Sequence, residues 1–350
     1  MLRIGKLRAA VFVALSLMLA TAVAQDASPP DSLFLDETPL ALKISAPFRE
    51  LARADEDRPE FDAVIEFADW NGSDTAIDIE VRIRGRSRLD NCDFPPLSLD
   101  FPRDEVDGTL FTGQNRLKLV TQCKQSDSFR DYLTHEFLIY RMLNQLTDRS
   151  FRVRWATVEY VYTDANRERS RVEPAFLIEG DWEVAQRLGM QAVEIEEIAV
   201  DELDAQYAAL MSLFHYMIGN TDWATILGPP GELCCHNGKV IGNSGEPFVV
   251  LPYDFDNSGL VSASYAVPSD ILPIRSVRRR LYRGYCATNH GLTAAMLHIN
   301  QHAESLRNLL DDESLSDRAR ERALDYLDEF FEIINDPEER QEQIHERCLN

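Results

Sequence analysis

Apolar residues recur at every second position through much of the first half of the chain. Residues 40–44, 61–67, 77–83, 97–101 and 117–121 are short alternating or β-branched runs, separated by Gly, Asp, Asn and Pro. Such alternation turns one face of a strand to a core and the other to water, so the runs predict a small antiparallel sheet. The period changes at Ser128. Phe129, Tyr132, Leu133, Glu136, Phe137, Tyr140, Leu143 and Leu146 recur at helical spacing, and the preceding Ser126, Asp127 and Ser128 offer side-chain oxygens to the free N–H groups of a helix start. A long helix is therefore expected after the sheet. Strand patterns return at 152–162 and 175–178, and 201–218 reads as a second helix with Leu203, Tyr207, Leu210, Met211, Phe214 and Met217 on its apolar side. Acidic and basic residues alternate on a helical pattern over the last fifty residues, which suits surface helices. These elements add up to an α+β fold, a strand-rich part with one long helix followed by a helical part.

The first residues follow another pattern. Arg3, Lys6 and Arg8 precede an uncharged run over 9–24 that closes on Ala22, Val23 and Ala24. Residues 1–24 are expected to be a secretory signal peptide, because the run is shorter than the roughly 20 residues a spanning helix needs. Residues 25–36 read as a polar linker containing proline. No later run is apolar and long enough to span a bilayer, so no stable membrane insertion is expected after cleavage, and the product should be secreted or periplasmic. Charge narrows the partners further. With 36 basic against 59 acidic residues the net charge is −23, which repels a phosphate backbone and disfavours a nucleic-acid partner.

Six cysteines follow, at 92, 123, 234, 235, 286 and 348, and an even number in an exported chain suggests disulfides. Cys92 and Cys123 both flank strand-like segments and form the preferred pair, while the connectivity of the other four stays open. Cys234, Cys235 and His236 offer metal-ligating atoms, but neighbouring residues rarely both reach one tetrahedral zinc ion.

The chemically informative segment begins where the second helix ends. Gly219 and Asn220 release the chain into a loop that presents Asp222, His236 and Asn237 follow, and a hairpin around Asn243–Gly245 leads to Tyr253, Asp254, Phe255 and Asp256. Phosphoryl transfer needs such a set: a carboxylate to orient the acceptor hydroxyl and take its proton, and oxygen ligands for a divalent ion bridging nucleotide phosphates. Asp222 is then the base, and Asn237 and Asp254, with Asp256, are the candidate ligands for Mg or Mn. The plainer reading is that Asp and Asn are turn residues whose side chains bond nearby backbone. An EF-hand is disfavoured, because Asp254-x-Asp256-x-Ser258-Gly259 would need a Glu where Tyr265 stands.

Two stretches resemble the spore-coat-protein-H (CotH) family of atypical secreted kinases. One is Val81-Arg82-Ile83-Arg84-Gly85-Arg86-Ser87-Arg88 with Phe94-Pro95-Pro96-Leu97-Ser98-Leu99-Asp100-Phe101, similar to that family's strand, Arg-Gly-x-Ser turn and return strand. The other is Gly219-Asn220-Thr221-Asp222 with His236-Asn237 and Asp254-Phe255-Asp256. Together they span roughly residues 75–260. The resemblance implies a divergent two-lobed protein-kinase-like fold, with a strand-rich N-lobe over 37–165 and a helical C-lobe over 166–350. It implies ATP and Mg or Mn as cofactors and, as partner, a protein substrate presented outside the cytoplasm.

This chain departs from the family pattern where Pro96 and Leu97 replace its usual Lys. Lys118 is the candidate substitute for offsetting triphosphate charge, and Glu136, eighteen residues on, is its candidate partner. Arg84, Arg86 and Arg88 are candidate phosphate contacts. No glycine-rich phosphate loop is present, so the alternative is a catalytically inactive pseudokinase serving as an exported binding or assembly module. Transfer of a different part of the nucleotide is a third possibility. Arg275, Arg278, Arg279, Arg280 and Arg283 fall at helical spacing and would line one helix face, toward an anionic acceptor or toward neighbouring acid. His215 is expected to be a packed histidine bonding the loop.

Overall fold

The computed structural model describes residues 33–54, 58–85 and 91–350. The expected signal peptide, most of the linker, and Arg86 and Arg88 lie outside them.

Seven strands close into a barrel: β1 (Leu40–Ala46), β2 (Phe61–Ala68), β3 (Asp74–Ile83), β4 (Leu97–Asp100), β5 (Arg116–Thr121), β6 (Val153–Tyr162) and β7 (Ser170–Ile178). Their order around the wall is β1-β2-β3-β4-β5-β7-β6, and β6 returns to β1 in parallel while every other pair is antiparallel. One ring of inward residues can be followed through the register: Ile44 opposite Ile65, Ile65 opposite Ile77, Val81 opposite Leu99, Leu99 opposite Leu117, Leu119 opposite Leu177, and Val158 back opposite Leu42. All of them belong to one buried cluster. Each fully buried aliphatic side chain contributes about 1.5–3 kcal/mol, and the interior of the barrel is filled by them.

The barrel overturns the two-lobed kinase-like fold expected from the resemblance. A closed seven-stranded mixed barrel with a small sheet and helices stands in place of a strand N-lobe and a helical C-lobe. The reason lies in the pattern itself: a period of two reads the same in an open sheet with one buried face and in a barrel wall, and it does not reveal the parallel β1–β6 pairing that removes the edges. The boundary expected at 165/166 falls in the connection between β6 and β7, which are antiparallel neighbours in the wall.

A second core lies between the outside of the barrel and the helices. The long helix α1 (Asp127–Leu146) packs on the wall through Phe137, whose ring lies 5.1 Å from Trp155 and 5.7 Å from Phe176, and through Tyr140 at 5.9 Å from Phe176. After β7 come α2 (Asp181–Arg187), α3 (Ala205–Ile218), α4 (Leu292–Gln301), α5 (Ala303–Leu310), α6 (Asp317–Asn335) and α7 (Pro337–Gln343). Between α2 and α4 sits a three-stranded sheet of β8 (Gln191–Val193), β9 (Gly238–Gly242) and β10 (Val249–Pro252), in the order β10-β9-β8.

Three disulfides join Cys92 to Cys123, Cys234 to Cys235 and Cys286 to Cys348. The first is the pair favoured from the sequence, and the set is compatible with a secreted protein. Among the described residues no helix is long and apolar enough to cross a membrane.

Candidate functional site

Two loops meet to form the site, and backbone bonds explain why they meet. Helix α3 ends at Gly219, whose φ of 66° is the left-handed conformation that glycine adopts without the Cβ penalty. The Tyr326 hydroxyl occupies the space a Cβ would need there. From this cap the chain docks on the loop that follows β10: Gly259 N–H donates to Gly219 O at 3.1 Å and Leu260 N–H to Ile218 O at 3.0 Å. The loop carrying Asp222 and the loop carrying Asp254 are thereby held side by side.

Interactions around Asn220 fix the first loop. Its Oδ1 accepts the Asp222 N–H at 2.9 Å, its carbonyl accepts Trp223 Nε1–H at 3.1 Å, and its amide nitrogen lies 3.3 Å from His215 Nδ1. His215 is buried and stacked on Trp223, with ring centres 4.4 Å apart. Burial pushes its pKa down to about 3, so it is a neutral packing residue, as the sequence suggested. Arg283 completes the support by donating to the carbonyls of Thr221 at 2.5 Å and Trp223 at 2.8 Å. The arginine cluster expected on a helix face is instead in an irregular segment, because residues 275–283 form no helix. There Arg280 pairs with Glu329 and donates to the Met217 and Tyr326 carbonyls.

Asp222 sits at the centre of a polar cluster. Its Oδ1 is 2.6 Å from His236 Nε2, and its Oδ2 accepts from the side-chain amides of Asn237 at 3.2 Å and Asn257 at 3.3 Å. Burial raises the carboxyl's pKa, but the His236 hydrogen bond and charge and the two asparagine amides outweigh it and hold the group below the usual Asp value. The same hydrogen bond lifts His236 above its ordinary value against partial burial, with the charges of Asp222 and Asp254 adding to it. The pair is a carboxylate beside a readily protonated imidazole.

Asn237 and Asp254 are brought together by the β9–β10 hairpin. Asn237 immediately precedes β9, Asp254 follows β10 by two residues, and Tyr253 N–H donates to Asn237 O at 3.1 Å. Both hold positive φ, 50° and 64°, the region that Asn and Asp enter more readily than most residues. Asn237 also donates from Nδ2 to the Asp222 carbonyl at 2.7 Å, which leaves its Oδ1 as the oxygen for a cation. The Asp254 backbone is tied to Tyr140 Oη of α1 at 2.9 Å. Asp256 is buried and accepts the Tyr265 hydroxyl at 3.0 Å.

Lys118 approaches from β5. Its ammonium lies 4.7 Å from the centre of the Tyr253 ring and 5.4 Å from that of Phe151. Burial, then repulsion from Arg84 and Lys239, lowers its pKa to about 7, while Asp181 and Asp254 oppose the shift. Lys118, Arg84 and Asp254 thus share one electrostatic neighbourhood. Glu136 is buried on α1, one turn before Tyr140, whose hydroxyl it helps hold protonated after burial.

The sequence placed His236 beside the cysteines and next to Asn237 without giving it a role at Asp222, and it missed Asn257 altogether. The cysteines bond to each other, so His236 is an Asp222 partner and not part of a thiolate zinc site. Asn257 stood directly after Asp254-Phe255-Asp256, but a lone Asn in a turn carries no signal of its own. Among the described residues no three His, Cys, Asp or Glu side chains are grouped to hold a metal unaided. Asn237 and Asp254 fit a hard cation that takes its remaining oxygens from phosphate and water, which is how magnesium is commonly held. Compared with known proteins, the chain matches no protein-family model and no curated protein.

Proposed function

We propose that this chain transfers a phosphoryl group from ATP to a protein hydroxyl outside the cytoplasm, in a secreted or periplasmic setting. The observation that supports this most is the convergence of Asp222 and Asn237 by direct hydrogen bonds, with Asp254 brought alongside by the Tyr253–Asn237 backbone bond. The resemblance to the CotH family named these residues for the same chemistry, but the fold it implied does not hold, so the reading rests on the site itself.

Asp222 is ionised at neutral pH and keeps a fixed orientation because both oxygens are held. It orients the acceptor hydroxyl and takes its proton as that oxygen bonds to the γ-phosphorus and the bond from γ-phosphorus to the bridging oxygen breaks, the electron pair leaving with ADP. Lys118 and Arg84 offset the triphosphate charge. A magnesium or manganese ion, when bound, would supply further charge neutralisation, with Asn237 and Asp254 as its protein ligands.

Calorimetric titration of ATP, with and without manganese, into the oxidised protein and Asp254→Ala tests the nucleotide site. Label transfer from γ-labelled ATP to a Ser-rich peptide by wild type and Asp222→Asn tests the base. The expected result is metal-dependent binding lost in Asp254→Ala, and transfer reduced by about a hundredfold or more in Asp222→Asn with ATP affinity little changed. Failure to bind millimolar ATP, or binding without any transfer by the wild type, would favour the inactive binding module instead.

A further inference from the structure

In a chain of net charge −23, three arginines meet around one cavity with no ion pair among them. Between the start of α1, the start of α6 and residues 260–262 lies a cavity of about 270 Å³. Arg278, Arg318 and Arg322 line it together with the hydroxyls of Ser128, Ser262 and Ser316. Its one carboxylate, Asp131, is already committed: it accepts the Ser316 N–H at 2.9 Å and the Ser316 hydroxyl at 2.7 Å. Among the described residues none of the three guanidinium groups forms an ion pair, whereas neighbouring Arg280, Arg307 and Arg320 all do.

Two further features point to an anion. Ser128 belongs to the first turn of α1, and Ser316 is the N-cap of α6 with Arg318 and Ala319 in its first turn, so two long helices open their positive ends beside the same space. His135, a wall of the cavity and 4% exposed, has no hydrogen-bond partner on either imidazole nitrogen. The Ala319 backbone comes near it without meeting hydrogen-bond geometry. Burial, then the Arg322 charge, lowers its pKa to about 4 against the pull of Asp131 and the Ala319 backbone. A buried polar group left unpartnered costs about 1–3 kcal/mol, and an oxyanion in the cavity would accept from the imidazole nitrogen that carries the proton once the wall shifts to expose it.

We propose that this cavity binds a phosphate dianion, free or as a monoester. Guanidinium forks, serine hydroxyls and helix N-termini are the groups that hold such an anion, and they hold it locally in a chain whose overall field repels it. Occupancy also bears on the neighbouring loop. Leu260, Val261 and Ser262 continue the segment that carries Asp254 and Asp256, and Tyr132, another wall, meets Tyr265, the residue that holds Asp256. The site shares no residue with the Asp222 cluster, so its fate is independent of the ATP reading.

Inorganic phosphate and O-phosphoserine, titrated separately at matched ionic strength, test it on wild type, the double variant Arg318→Gln/Arg322→Gln and the control Arg275→Gln. Calorimetry gives affinity, and the imidazole resonances of His135 report occupancy. Saturable binding by wild type and the control is expected, with a shift at His135 and a loss of about tenfold per guanidinium in the double variant. Binding of inorganic phosphate identifies the free ion, and binding of phosphoserine alone identifies the ester. Equal affinity in the double variant, or no saturable binding of either probe to the wild type, overturns the proposal.

Discussion

Glu183, in the first turn of α2, shows how burial can outweigh hydrogen bonding. Its Oε2 accepts the Gly180 N–H at 2.8 Å and its Oε1 accepts Gln114 Nε2–H at 2.5 Å, and both favour the charged form. Burial works the other way and dominates, with the Glu179 charge adding to it, so the pKa rises to about 7. Gln114 Oε1 is meanwhile buried without a partner. A protonated Glu183 would donate to it once the amide turned. Because the folded pKa lies above the unfolded value, the folded state holds more protons in that window, and stability falls as pH rises from about 4.5 to 7. Glu183→Gln removes the buried charge at nearly constant shape. Urea unfolding should find the variant more stable by about 1–3 kcal/mol at pH 8 and close to wild type at pH 4.5. An identical difference at both pH values would mean that folding leaves the Glu183 pKa at its unfolded value.

At the scale of elements, the end of α3 decides whether the two site loops can meet. Alanine at Gly219 would be forced into φ near 66° and would drive its Cβ into the Tyr326 hydroxyl. Left-handed geometry alone costs a non-glycine residue about 1–2 kcal/mol, and the clash adds to that. Gly219→Ala should lower the unfolding free energy by at least that amount, read as a lower urea midpoint with an unchanged slope, and should weaken ATP binding because Asn220 and Asp222 are displaced. Unchanged midpoint and binding would show that the cap is not what aligns the loops. This helix end, like the β9–β10 hairpin and the strands from Leu40 to Ile178, was legible in the sequence because glycine position and local periodicity encode it. Closure of the barrel was not. The pairing of Leu42 with Val158 joins residues more than a hundred positions apart, and neither segment carries a mark of its partner's direction. For the same reason the site loops could be read as an ordered set, Asp222, Asn237 and Asp254, while the His236–Asp222 and Asn257–Asp222 contacts could not. The meeting of Ser128 with Ser316 beside one cavity was equally beyond local pattern; of the arginines that line it only Arg278 was grouped in the sequence, with Arg280 and Arg283, which turn out to brace carbonyls.

Over the whole molecule, covalent links offset the self-repulsion of a strongly acidic surface. Their separations along the chain rank their expected effects. Cys286–Cys348 spans 62 residues and Cys92–Cys123 spans 31, which in the chain-entropy account corresponds to about 4 kcal/mol for each, whereas Cys234–Cys235 spans 1 and closes no loop. Local structure sharpens the contrast. The C-terminal link is flanked by Cys286 N–H donating to Leu349 O and Leu349 N–H to Gly284 O, both at 2.8 Å, so a short two-way pairing holds the last residues to the segment just beyond Arg283. Arg283 in turn supports the Thr221 and Trp223 carbonyls of the site loop. Cys286→Ser/Cys348→Ser is therefore expected to lower unfolding free energy by about 4 kcal/mol. It should also weaken ATP binding, since loosening the segment around Arg283 removes the support of the Asp222 loop. Cys234→Ala/Cys235→Ala should leave global stability within about 1 kcal/mol of wild type, because no loop entropy is released. Denaturant unfolding of the three proteins at neutral pH, with ATP titrations alongside, separates these expectations. If the adjacent pair proves the costlier to remove, loop entropy is not what these disulfides contribute, and their role must lie in the folded packing around His236 instead.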